Sequence, residues 1–388
     1  MQLSFSEERI KAMREAPSLK PFSEQAVQFL NELSGQIIRD PAARQYSDVI
    51  TFAYWCRKSA VASYAKEYED CGSRLGRGFV FHIAPSNVPV NFAFSLAAGL
   101  LAGNKNVVRL SSKDFPQVDL ICNAIEKVFE KYPDMKNYVY PVRYDKTSEC
   151  TDILSRNCNV RVIWGGDNTI REIRKSELPA RAFDITFADR FSFAVIQSDD
   201  YMEAEDKQTV ASGFYNDTYF SDQNACTSPH IVFWTGNHVE EAKKSFWTEL
   251  QKMVDERYEL QAVQAVGKLD AFCMASMQTD CSIAQDQTKN NLVRIELSEL
   301  DKNVMDCHYH SGLFFEYTLK DLKDIHIFCD EKCQTISYFG NIGDELKSTI
   351  FETGVYGADR IVPIGQTMDF SLVWDGYDLI RSMSRVIS

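Results

Sequence analysis

Eleven cysteines are spread along this chain, and one of them sits where a reactive thiol could work. Cys226 lies in the stretch DQNACTSPH (222–230), among small and polar residues, with Pro229 just beyond and the apolar run IVFW following. A thiolate attacks thioesters readily and also leaves readily, so a cysteine in a polar turn suits acyl transfer. The competing reading is a small buried hydrophobe, which fits Cys122, Cys158, Cys273 and Cys329 among their apolar neighbours. A second feature is PSNVP (85–89), where two prolines bracket Ser86 and Asn87 after a short apolar run. A fixed amide there can donate to a developing oxyanion without bringing a charge, or else form an Asx-turn that caps the next helix. Arg109, Ser111 and Ser112 end the run VVRLSS, a donor set suited to a phosphate or ribose, or simply a surface arginine followed by a helix cap. Gly165 and Gly166 follow the run VRVIW; such a turn lets a pyrophosphate approach the backbone, although no GxGxxG is present and a plain tight turn would look the same. CHYH (307–310) and the pair Cys329 and Cys333 do not have zinc-site spacing, and no metal is expected. His230 is a weak partner for Cys226, because such dyads are usually assembled from residues distant in sequence.

These residues need a scaffold, and its outline is readable. The first seventy residues have helical periodicity. Ser4 and Glu7 fit a capping box; Ser23 precedes a helix whose Val27, Leu30, Leu33 and Ile37 share a face; a third helix is expected from Asp48 through Trp55 toward Tyr68. From residue 78 short apolar runs (FVFHIA, VVRL, NYVYPV, VRVIW, FDITFA, FSFAVI) alternate with helical stretches. That alternation implies right-handed crossovers and a parallel sheet with helices on both faces. PSNVP, with Pro85 and Ser86 counted among the cofactor contacts, then stands at the end of a strand where open parallel sheets bind ligands. Beyond residue 198 a second unit is expected. It should have a helix over 202–216, the cysteine turn, a strand IVFW, an amphipathic helix over 238–258, and strands NLVRIEL, LFFEYTL, DIHIFC and TISYF.

The bulk numbers narrow the class. A chain of 388 residues suggests two domains. The formal charge of −13, with no basic stripe, argues against nucleic acid as partner. The opening MQLSFSEERIKAMREA is charged and lacks an apolar core, so no secretory leader is expected. The most apolar stretch, 79–103, is broken by His82, two prolines and two asparagines, so no membrane span is expected. An odd number of irregularly spaced cysteines points to a reduced, cytoplasmic setting.

Taken in order, the runs HIAPSNVPVNFAFSLAAGLLAGNKNVVRLSSKDFP, WGGDNTIREIR and DQNACTSPHIVFW resemble the cofactor-domain start, the pyrophosphate turn and the catalytic-cysteine segment of the aldehyde dehydrogenase superfamily. The Trp-Gly-Gly-Asp turn, the Gln-x-Ala-Cys-x-Ser-Pro motif and the ending ADRIVPIGQTMDFSLVWDGYDLI are closer to one branch. These are the acyl-CoA reductases, typified by the reductase component of the bacterial luminescence fatty-acid reductase complex. The resemblance covers roughly residues 78 to 388. It implies an aldehyde-dehydrogenase-like α/β fold, with a doubly wound parallel-sheet cofactor domain and an α/β catalytic domain. The expected divisions are 1–197 for the N-terminal helices and cofactor domain, 198–344 for the catalytic domain with Cys226, and 345–388 for a tail. That tail would return to the cofactor domain or make an oligomer contact.

The resemblance also implies roles. Cys226 would be the nucleophile, and Asn87 would join the backbone N–H of Cys226 in an oxyanion hole. Gly165 and Gly166 would flank the pyrophosphate. Arg109 stands where the superfamily usually has a lysine, and Ser112 where NAD-preferring members often carry a glutamate. Without a carboxylate there, a 2′-phosphate meets no like charge, and NADPH is expected over NADH. Aldehyde-oxidising members carry a glutamate that activates the deacylating water. The matching stretch here is Thr186-Phe-Ala-Asp189, with Asp184 and Asp189 the nearest acids. An enzyme without that base hydrolyses its acyl-enzyme poorly and is better suited to reduce it. The expected activity is therefore reduction of an activated fatty acyl group to the aldehyde through an S-acyl cysteine. The donor would be acyl-CoA, an acyl-adenylate or an acyl-protein, with an AMP-forming acyl ligase as a partner and the chain as a homo-oligomer. The alternatives are a cofactor-independent cysteine acyltransferase or thioesterase on the same fold, and, less favoured, a non-catalytic scaffold.

Overall fold

The computed structural model describes residues 3–145, 147–284 and 289–388. It divides into two compact units, Met1–Ala188 with Phe370–Ser388, and Asp189–Asp369.

The first unit is built on five parallel strands. Their spatial order is Val139–Val142, Lys105–Arg109, Phe79–Ile83, Val160–Trp164 and Phe183–Phe187. In chain order this is 3-2-1-4-5, a doubly wound sheet. Alternate side chains feed two cores. Val80, Val108 and Val162 pack with the helices Glu24–Arg39, Asn91–Leu101 and Pro116–Lys131. Phe81, Ile83 and Ile163 pack with Ile10, Leu154 and Ile170 on the other face. Strands buried on both faces read as continuous apolar runs, which is why they were legible. The direction of winding reverses between Phe79–Ile83 and Val160–Trp164, and a ligand crevice belongs at the carboxyl ends of those two strands. Those ends run into Pro85-Ser86-Asn87 and into Gly165-Gly166.

Several N-terminal expectations shift. Ser6, not Ser4, caps the first helix, its hydroxyl accepting from Arg9 N at 3.3 Å. Ser4 instead bridges to Arg143. The long third helix is two, Ser47–Trp55 and Lys58–Lys66, separated by the extended Arg57. The tail segment from Phe370 packs internally. Trp55 Nε1 donates to Phe370 O at 3.1 Å, and Leu372, Trp374, Leu379 and Ile380 join the first unit's core. Strand Ser384–Val386 pairs antiparallel with Arg74–Gly76.

The second unit holds a seven-stranded sheet ordered Arg360–Pro363, Cys333–Phe339, Phe191–Gln197, Pro229–Thr235, Leu313–Thr318, Val293–Leu297 and Cys281–Ile283. It is parallel except for the last pair. Phe191–Gln197, expected in the cofactor domain, belongs here because both of its partners, Pro229–Thr235 and Cys333–Phe339, are in this unit. Residues 345–369 also stay here: helix Gly343–Thr353 leads to strand Arg360–Pro363, which pairs with Cys333–Phe339. DIHIFC is not a strand. The Asp321 side chain accepts from Lys323 N at 2.9 Å and starts a 3-10 helix, Leu322–Phe328. Helix Ala262–Gln278 was not expected. Its Val263, Val266, Leu269 and Met277 face solvent, so its apolar periodicity does not mark a core face. Among the described residues no helix is long and apolar enough to cross a membrane.

Candidate active site

The structure gathers Pro85, Ser86, Asn87, Arg109, Ser111, Ser112, Gly165 and Gly166 at the carboxyl edge of the first unit's sheet. All follow or end one of three adjacent strands, Lys105–Arg109, Phe79–Ile83 and Val160–Trp164. Asn87 lies in a bend and is exposed, its backbone shaped by Pro85 and Pro89. Ala84 N donates to Arg109 O at 3.1 Å, tying the two strand ends together below it. Behind this edge lies a buried polar network. His82 is bonded to Ser95 Oγ at 2.8 Å and to Asn106 Oδ1 at 3.0 Å, and Trp164 Nε1 donates to the same Ser95 oxygen at 3.0 Å. Burial drives His82 down to about 4, so this network is neutral at working pH.

The edge fits a dinucleotide in two respects. The Arg109 guanidinium stacks over the Tyr144 ring at 5.0 Å, and its Nε is buried without a partner. A buried donor of that kind calls for an acceptor, and a ribose or phosphate oxygen would supply one. Gly165 lets the strand end pack closely on the helix that follows, since a Cβ there would come within 3.1 Å of the Thr169 side chain. Ser112 is exposed, and Ser111 Oγ accepts from Lys113 N at 3.1 Å. Of the two acids nearest the stretch matched with the deacylating glutamate, Asp189 is exposed and Asp184 is already engaged. Arg161 grips it at 2.7 and 3.2 Å and Arg174 at 3.2 Å. A carboxylate held by two guanidiniums is a poor general base.

Cys226 belongs to the second unit, and its turn is held from several sides. Helix Lys207–Asp217 runs out into the 3-10 turn Tyr219–Ser221. Asp222 and Gln223 then both adopt left-handed backbone, φ +51° and +53°. Two consecutive non-glycine residues there are strained unless their surroundings hold them. The Asp222 carboxylate accepts from Tyr258 Oη at 2.5 Å, Gln264 Nε2 at 3.0 Å and Ser311 Oγ at 3.0 Å. The Gln223 amide, buried, donates to Pro229 O at 3.1 Å and Leu313 O at 3.2 Å. It accepts from Gly312 N at 2.6 Å and Leu313 N at 3.2 Å. It thereby completes the ladder where two parallel strands begin, a reason for glutamine in Gln-x-Ala-Cys that the motif alone does not supply. Ser192 Oγ donates to Cys226 O at 2.7 Å, and Thr227 Oγ1 donates to Met368 Sδ at 3.2 Å.

Seven of the other ten thiols are set apart from this one by burial, while Cys150 and Cys281 are half-buried as it is. Cys56, Cys71, Cys122, Cys158, Cys307, Cys329 and Cys333 are buried. Burial pushes Cys122 and Cys158 up to about 12, which suppresses the thiolate. Cys226 is half-buried. Cys273, expected among apolar neighbours, is exposed on helix Ala262–Gln278. His230 is buried and stacked edge-on against His308 at 4.7 Å; burial, with His308 adding, drives it down to about 3. A neutral His230 supplies no positive charge to a thiolate. Among the described residues no cluster of three or more His, Cys, Asp or Glu is placed to hold a metal ion. Asp222, Gln223, Tyr258 and Ser311 were missed as site residues; Gln223 alone had a signal, its place in the cysteine motif.

Residues 3–386 match the family model described as Acyl-CoA reductase (LuxC). Among similar proteins, the long-chain acyl-protein thioester reductase of Vibrio harveyi is 24% identical over 321 residues, 80% of this chain and 63% of the relative. That of Aliivibrio fischeri is 25% identical over 180 residues, 46% of this chain and 36% of the relative. The matched part is thus less than two thirds of each relative's length. Among solved structures, a lactaldehyde dehydrogenase superposes with TM-score 0.67 at 13% identity, covering 98% of this chain and 89% of that one. The glyceraldehyde-3-phosphate dehydrogenase GapN of Methanocaldococcus jannaschii, complexed with NADP, superposes with TM-score 0.66 at 13% identity, covering 98% and 91%. At that identity the likeness is one of fold, and the fold is aldehyde-dehydrogenase-like.

Proposed function

Because the chain belongs to the acyl-CoA reductase (LuxC) family, we propose that it reduces an activated long-chain fatty acyl group to the aldehyde through an S-acyl intermediate on Cys226, with NADPH as reductant. The observation that carries this reading is the cysteine turn. Cys226 is a half-buried thiol whose preceding residues, Asp222 and Gln223, are locked in strained backbone by their own side chains. Rigid support of that kind is what a nucleophile needs.

The steps follow from the residues. The Cys226 thiolate attacks the acyl carbonyl, a carbon–sulfur bond forms, and the donor's thiolate (or AMP, or a carrier's thiolate) leaves. Asn87 is assigned as side-chain donor to the oxyanion, with the Cys226 N–H as backbone donor. A reduced nicotinamide, which Arg109 and the Gly165–Gly166 turn would hold, would supply hydride to the S-acyl carbon. The resulting thiohemiacetal collapses as its carbon–sulfur bond breaks, releasing aldehyde and returning the Cys226 thiolate. For a thioester donor the sum is thioester, NADPH and one proton in, and aldehyde, thiol and NADP+ out. With Asp184 already gripped by Arg161 and Arg174, one of the two nearest acids is unavailable to activate water, which supports reduction over hydrolysis.

The test is to mix the protein with a long-chain acyl-CoA in the absence of cofactor and map the acyl mass. Acylation of the Cys226 peptide, discharged as aldehyde on adding NADPH, is the expected result. Discharge as free acid without NADPH would replace this reading with the thioesterase one. Repeating the assay over chain lengths, with and without an AMP-forming acyl ligase, identifies the donor and whether a ligase partner is needed.

Two further outcomes are expected. Asn87→Ala should still be acylated, but with turnover lowered on the order of 10²–10³-fold, as for loss of one oxyanion donor. Single-turnover kinetics check this, and an undiminished rate removes Asn87 from the mechanism. Arg109→Ala should weaken NADPH binding by roughly 10-fold or more, the worth of a charge-assisted bond, while NADH binding changes little. Fluorescence titration of both nucleotides checks the 2′-phosphate assignment, and equal losses would move Arg109 to the ribose shared by the two.

A further inference from the structure

Asp217 has no part in the reaction just described, yet it is a buried acid, 1% exposed, at the end of the helix that leads into the cysteine turn. Both of its oxygens are taken by backbone. Oδ2 accepts from Gly365 N at 2.7 Å and Oδ1 from Thr367 N at 3.1 Å. Helix and turn meet closely enough to need two glycines. A Cβ on Gly213 would lie 3.2 Å from Gly365 Cα, and Gly365 itself has φ +94°. Arg360 fastens the same stretch from its other side, donating to Thr367 O at 2.9 Å and Asp369 O at 3.0 Å. The next residue, Met368, takes the hydroxyl of Thr227 on its sulfur at 3.2 Å, and Thr227 follows Cys226 directly in the chain. A continuous path therefore runs from the Asp217 carboxylate through the turn to the cysteine's neighbour, all within the second unit.

We propose that Asp217 is a positioning residue: as a carboxylate it pins the Gly365–Thr367 turn, which through Met368 and Thr227 seats Cys226, and its protonation unseats the thiol. The inference rests on Cys226 being the nucleophile.

The physical basis is a donor conflict. Two amide hydrogens point at the two carboxylate oxygens. A proton on either oxygen turns an acceptor into a donor facing a donor, and one bond is lost. Burial lifts Asp217 to about 6, with Asp369 pushing the same way against the two amides. Asp369, at the end of the turn, is the charged group that bears on it. The sign of the stability effect is opposite to the effect on reactivity. The folded value lies above the ordinary 3.8, so between about pH 4 and pH 6 the folded chain binds more protons than the unfolded one, and this group adds stability as pH falls. A loss of Cys226 reactivity in that window is therefore not acid unfolding driven by Asp217.

The experiment measures the rate of Cys226 alkylation by iodoacetamide on the whole protein, followed by peptide mass spectrometry, from about pH 5 to about pH 8. A thiolate alone gives a log rate rising with unit slope below its pKa. The wild type is expected to fall below that line by several-fold as pH drops through the Asp217 inflection, steeper than unit slope there. Asp217→Asn, which cannot titrate, is expected to react several-fold more slowly above the inflection and to keep unit slope throughout. Met368→Ala leaves Asp217 in place but cuts the path, and the steepening should vanish there too. A wild type of unit slope overturns the proposal, as does steepening that survives in both variants. If Cys226 is not alkylated at all in the wild type while Cys273 is, the nucleophile reading fails first and the positioning proposal with it.

Discussion

Cys226→Ala is expected to lower aldehyde formation from acyl-CoA and NADPH by about 10³-fold or more, the scale at which removing a covalent nucleophile acts. The expectation is this large because no other thiol sits in a comparable turn: Cys150 and Cys281, half-buried like Cys226, open the helix Cys150–Asn157 and the strand Cys281–Ile283. Seven cysteines are buried, and burial holds Cys122 and Cys158 up at about 12, beyond useful ionisation. Cys273 is exposed, but on a helix whose outward residues are Val266, Leu269 and Met277, with nothing to orient an acyl carbonyl. The Cys226 turn, by contrast, is gripped through Asp222 and Gln223, and those bonds do not involve the Cys226 side chain. The variant should therefore fold and still bind NADPH, which fluorescence titration verifies alongside the rate. Cys226→Ser should lie close to the alanine variant, because a hydroxyl is scarcely ionised where a thiol is partly so. Aldehyde produced by Cys226→Ala at near the wild-type rate would sink the covalent mechanism.

Where the sequence was legible and where it was not follows from the range of the interactions involved. The strands of the first sheet other than the edge strand Phe183–Phe187 are covered on both faces, so each is a short, mostly buried run that needs no knowledge of its neighbours. FVFHI and VRVIW are examples, with all five positions buried in each. Asn87 and Gly165 could be placed because they follow such runs directly. FSFAVI was equally plain as a strand, but its unit depends on pairing with residues near 231 and 336, which no local pattern encodes. Helix Ala262–Gln278 was hidden for the converse reason: its apolar residues point outward, and the buried ones are Lys268, Ala271 and Ala275. Of the site, the nucleophile was visible from its motif, whereas its supports were not. Tyr258, Gln264 and Ser311 reach Asp222 from separate elements, and an acceptor role for an aspartate is set by which donors the fold delivers.

The second large effect concerns the sheet on which that turn is mounted. Glu316, fully buried on the strand Leu313–Thr318, accepts two tryptophan indoles on one oxygen, Trp234 Nε1 of the neighbouring strand at 3.1 Å and Trp247 Nε1 of helix Val239–Arg257 at 2.9 Å. Its other oxygen faces Arg294 Nη1 at 3.4 Å. Arg294→Met keeps the volume roughly constant but leaves a carboxylate in the core without its cation, a change that costs about 3–5 kcal/mol. For a unit of this size that corresponds to a fall in melting temperature of roughly 10 °C. Burial already holds Glu316 above the usual carboxylate range, with Arg294 the chief opposing influence. Removing Arg294 raises it further, so the folded variant binds a proton that the unfolded chain releases. Stability of the variant relative to wild type should then fall as pH rises through that shifted value and recover toward acid, where the carboxyl is neutral and needs no cation. Calorimetric melts at about pH 5.5 and pH 8 test this, and an equal loss at both would show that the arginine acts by packing against Trp247 rather than by charge. Leu313, on the same strand as Glu316, exchanges both of its backbone bonds with the Gln223 amide. Loosening the strand at its buried charge should therefore also slow alkylation of Cys226 at temperatures well below the melt, whereas a substitution on the outward face of helix Ala262–Gln278 should not.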